Sequence, residues 1–267
     1  MTSWETGWLS YAREMLNDES HLGKCLKAGG ARPIQDAPYS SLRWPGYLGE
    51  KYARILCLGM IHSGDMLFAG RRTAQASSKS KDDLDKAVLD LEPVVLEWTR
   101  DVVSDDAYIS QTRVTYSRAL PHWNTWSHIG PILEQFGYQT KGDKTSAIAY
   151  ANIAKCWSDT NDDTRKDIDV MTCCNDWKVG SSVALIKAIS PACVLVATTR
   201  PGFSRSDLPL LEDGFEPDVW AYNFRTGIQE GKKTDDPTRF RDVWAKTAAE
   251  SYKVRMQSLA NSVPRKP

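Results

Sequence analysis

The chain carries no net charge: its 34 Lys and Arg residues are balanced by 34 Asp and Glu. That balance excludes a histone-like protein that holds nucleic acid by bulk electrostatics. It leaves a local basic groove as the only electrostatic basis for such binding. The chain also lacks any apolar run long enough to cross a bilayer. Its longest runs, near Ile55–Ile61 and Ala192–Ala197, fall far short of the roughly 20 residues a spanning helix needs. There is no C-x-x-C; six cysteines are scattered at positions 25, 57, 156, 173, 174 and 193. A reduced, cytoplasmic setting is therefore expected rather than a disulfide framework. Internal repeats and low-complexity tracts are absent. The opening MTSWETGWLSYAREML has acids and no long apolar core, so it is not expected to act as a targeting segment.

What is present is an ordinary globular composition, 41% apolar and 25% charged. A length of 267 residues suits one large α/β domain or two small ones. No boundary is visible, so a single domain over 1–267 is expected, with 1–50 as an extension packed on it. Ten Trp is a high count, and most are expected in the core, leaving a few for stacking.

Helical spacing of Trp4, Trp8, Tyr11 (or Ala12) and Met15 predicts an amphipathic helix over 1–17. The next stretch, 18–50, is rich in Gly, Pro and Ser and reads as irregular. ARILCLG, residues 53–59, is a continuous apolar run of the kind a strand covered on both faces shows. Residues 82–104 have helical period (Leu84, Val88, Leu91, Val95, Trp98, Val102), with Pro93 expected to kink or split them. Residues 105–121 are ambiguous. In 122–137, Trp126, Ile129, Leu133 and Phe136 share a helical face and Gly137 suits a C-cap. His122 and His128 suit surface or packing positions better than ligation.

AIAYANIA is the second strand. SSVALIKAIS reads as a helix capped by Ser181 or Ser182, and ACVLVATT beyond Pro191 as a third strand. DVWAYNF is the fourth. A terminal helix over 238–260 offers Phe240, Val243, Trp244, Ala248 and Tyr252 as its apolar face. The expected fold class is α/β, a three-layer α/β/α arrangement around a mostly parallel, four-stranded sheet. Cys57 and Cys193 fall inside apolar runs and read as buried strand thiols.

Polar clusters follow the strands, where open α/β sheets bind ligands. After the first strand, Gly59-Met60-Ile61-His62-Ser63-Gly64-Asp65 combines glycines with proton-handling His62 and Asp65. The same residues also suit a plain βα turn with solvated side chains. AIAYANIA ends in Asn152-x-x-Lys155-Cys156-Trp157, which brings together an amide, a cation and an indole. Turn chemistry alone also accounts for an Asn there. Thr199 with Arg200, and Asn223 with Arg225, follow the last two strands.

The order of these motifs resembles the uracil-DNA glycosylase superfamily, and most nearly its four-Cys branch. Gly59–Gly64 stands at the first-loop motif, Leu67-Phe68-Ala69-Gly70-Arg71 is similar to P-F-x-G-R, and Asn152–Cys156 to N-x-x-K-C. The likeness covers roughly residues 50–230, and its specific parts are short. It implies DNA base-excision repair: hydrolysis of the N-glycosidic bond of a flipped-out uracil or related deaminated base. Phe68 would stack on the base, Asn152 would read its edge as both donor and acceptor, and Gly59 and Ile61 would complete the base site. Arg71, Arg72, Lys155, Arg200, Arg205 and Arg225 would meet phosphates of single- or double-stranded DNA. The protein would act as a monomer, nucleoid-associated in a bacterium.

Departures from the family pattern are clear. Met60 and Ile61 stand where the first loop carries an acid or amide, leaving His62 and Asp65 as substitutes. The last loop has no H-P-S, which leaves Asn223 or Arg225 to stabilise the leaving base. A base-binding or damaged-DNA-sensing module without hydrolysis is the alternative. The branch's iron–sulfur cluster is not expected: Cys156 with Cys173 or Cys174 matches the later pair, but Cys25 stands alone at the front, and a cluster takes four.

Overall fold

The computed structural model describes residues 1–17, 45–63, 91–122, 124–158, 181–198, 217–223 and 237–262. They form a mixed α/β fold around one five-stranded sheet. The strands are β1 (Tyr47–Leu48), β2 (Ile55–Ser63), β3 (Ile148–Ser158), β4 (Cys193–Thr198) and β5 (Asp218–Asn223), in spatial order β1-β3-β2-β4-β5. β2, β3, β4 and β5 run parallel, and β1 pairs antiparallel with β3 at the edge. The four expected strands are therefore joined by a fifth. It is only two residues long, too short for any periodicity to reveal.

The helices are α1 (Ser3–Leu16), α2 (Leu91–Thr99), α3 (Asp105–Ala119), α4 (Asn124–Gln135), α5 (Lys141–Ala147), α6 (Ser181–Ile189) and α7 (Pro237–Ser262). α1 starts in a capping box, with Thr2 Oγ1 accepting from the Glu5 amide and Glu5 accepting from the Thr2 amide. Its Trp8, Tyr11, Ala12 and Met15 are buried, as the spacing predicts. Trp98 of α2, Tyr108 of α3 and Trp8 of α1 form a continuous aromatic stack, with centroids 3.9 Å apart for Trp98–Tyr108 and 5.6 Å for Trp8–Tyr108. At its margin Asp105 accepts from Trp98 Nε1 at 2.7 Å and from Arg13 at 2.9 Å. Together these bonds hold its carboxyl below the usual range, the Trp98 bond first among them. The described tryptophans thus serve mainly as core: Trp8, Trp98, Trp126 and Trp244 are all buried.

Several expectations need correction. Pro93 lies in the first turn of α2, which begins at Leu91, where no intrahelical donor is lost; the rest of the 82–104 pattern before Leu91 lies outside the described residues. Val102 lies beyond the end of α2 and is 72% exposed. The ambiguous 105–121 stretch is α3, capped by Ser104. α6 begins at Ser181, so Ser181 and Ser182 lie inside the helix rather than capping it. In α7, Trp244, Ala248 and Tyr252 are buried while Val243 faces solvent. α4 matches its prediction: Trp126, Ile129, Leu133 and Phe136 are buried, and Gly137 follows at φ +99°, a left-handed turn that glycine takes without strain.

α7 is locked to the sheet at the amino end of β5. Arg255 Nε lies 2.7 Å from Asp218 Oδ2, and Ser251 Oγ donates to the same oxygen. Nearer the start of α7, Trp244 meets Trp220 edge-on at 6.2 Å. The Tyr252 hydroxyl donates to the Ala53 carbonyl at 2.7 Å, just ahead of β2. α7 therefore covers the sheet face that carries Asp218 and Trp220.

Candidate functional site

Strand order places the site. From β2 the chain crosses to β3 on one side, then returns past β2 to β4 and moves outward to β5. Successive connections therefore diverge between β2 and β4. In open α/β sheets the crevice at such a switch, outside the carboxyl ends of the strands, is where ligands bind.

Register fixes what stands there. Gly59 pairs with Asn152, Ala197 with Tyr222, and Thr198 with Asn223, while the β2–β4 pairing runs as far as Leu58 with Val196. β4 ends at Thr198 and β5 at Asn223. β2 and β3 continue as a two-stranded ribbon to Ser63 and Ser158, leaving a step in the sheet beside the switch point.

This differs from the sequence reading in two ways. The first strand does not stop at Gly59, and Met60–Ser63 belong to β2 rather than to a loop. The second strand does not end at Ala154 but runs on through Lys155, Cys156 and Trp157 to Ser158. The cause is mutual: each extension supplies the other with a partner, since Ile61 pairs with Ala154 and Ser63 with Ser158. The pairing is irregular in that interval. His62 alone lies between the two pairs on β2, whereas Lys155, Cys156 and Trp157 lie between them on β3. Such bulges redirect a strand and concentrate next to active sites.

Of the site candidates, Gly59, Ile61 and His62 lie in β2, Asn152 and Lys155 lie in β3, and Asn223 is the last residue of β5. Lys155 falls within the bulge. Asp65, Phe68, Arg71, Arg72, Arg200, Arg205 and Arg225 lie outside the described residues, as do Cys25, Cys173 and Cys174.

Toward the amino ends the strands are buried. Cys57 and Cys193 are buried free thiols, as expected from their apolar runs, and burial raises both pKa values well away from thiolate formation. Tyr52 is raised in the same way by burial at the amino end of β2. Among the described residues no group of His, Cys, Asp and Glu is arranged to hold a metal ion. No described helix is long and apolar enough to cross a membrane.

No protein-family model, curated protein or solved structure matches this chain.

Proposed function

We propose that this protein is a DNA base-excision glycosylase that hydrolyses the N-glycosidic bond of a flipped-out uracil or related deaminated base. The observation that carries the reading is the placement of Asn152 beside Gly59, at the step next to the switch point. An amide can donate and accept at once, which suits the O=C–N–H edge of a deaminated base. A glycine beside it lets a ring approach the backbone. In this reading Ile61 and Phe68 complete the base site, and Arg71, Lys155 and Arg200 meet phosphates. His62, Asp65, Asn223 and Arg225 supply the catalytic groups. The reading takes the chain as one domain and a monomer, with α1 and α6 on one face of the sheet and α4 and α7 on the other, in three layers. It uses no cofactor.

A second reading is a module of the same fold that binds an altered base without hydrolysis. It is favoured by the extension of β2 through Ser63, which takes Met60–Ser63 out of the loop that would place water. Abasic-site formation on labelled oligonucleotides carrying uracil, hypoxanthine or xanthine separates the two. Strand scission after alkali treatment supports the glycosylase. Salt-dependent, lesion-selective binding without scission supports the module. Neither binding nor scission on any lesion removes both.

A further inference from the structure

We draw no further inference here: the strongest candidate, the buried and unpartnered Ser182 hydroxyl in the first turn of α6, carries nothing because no cavity is shown beside it and nothing in the structure shows what covers that helix end.

Discussion

Arg255 and Asp218 join the terminal helix to the first residue of the last strand, with Nε 2.7 Å from Oδ2 and both side chains largely buried. Ser251 Oγ donates to the same carboxylate oxygen. Removing one partner strands the other charge in a site built for a pair, which typically costs about 3 kcal/mol. Arg255→Met should therefore lower the free energy of unfolding by about that amount in urea titrations. Asp218→Asn together with Arg255→Met should recover part of the loss, since no charge is then left unpaired. A double variant no better than Arg255→Met would mean the pair is not coupled.

Gly7 marks the closest approach of α1 to α6. A Cβ there would collide with the carbonyl oxygen of Ala188, a backbone atom that cannot rotate aside. Gly7→Ala gains helix propensity of about 1 kcal/mol in isolation, yet here the helices must separate. Overpacking of this kind costs about 1–3 kcal/mol. A net loss of stability is expected by thermal unfolding; a rise in midpoint would show that the two helices do not pack this closely.

His128 of α4 is half-buried, and burial lowers its pKa, helped by the positive charge of Arg241. The folded protein thus holds this proton less tightly than the unfolded chain, whose imidazole titrates near ~6.5. Its contribution is fully present above that pH and is lost as pH falls through the lower folded value. His128→Gln should flatten the fall in stability between about pH 7 and pH 5. An unchanged slope for the variant would contradict the assignment.

Much of the architecture is legible in the residues themselves. β4 and the core of β2 are continuous apolar runs, and the apolar stripe of α4 is regular from Trp126 to Phe136. α3 is not legible, because its buried face includes Thr112 and Thr115. Thr112 satisfies its hydroxyl on the Tyr108 carbonyl of its own helix, a solution that hydrophobic periodicity does not register. α5, KGDKTSA, has almost no apolar residues, and its Lys144 is buried by pairing with Glu134 at 2.6 Å. Strand ends misled for a different reason. Met60–Ser63 and Lys155–Ser158 have mixed polarity, and only the pairing of β2 with β3 makes them strand. The site was legible in the same measure. Asn152 and Gly59 stand out in the sequence, whereas their adjacency and the bulge opposite His62 depend on register.

The most direct measurement is lesion handling by the wild type against Asn152→Ala, read as alkali-labile abasic sites and as binding to lesion-containing and undamaged DNA. The account predicts that the wild type selects a deaminated base, and that the variant loses that selectivity by at least about tenfold with little change in thermal midpoint. An Asn152→Ala protein that selects and excises like the wild type would contradict it.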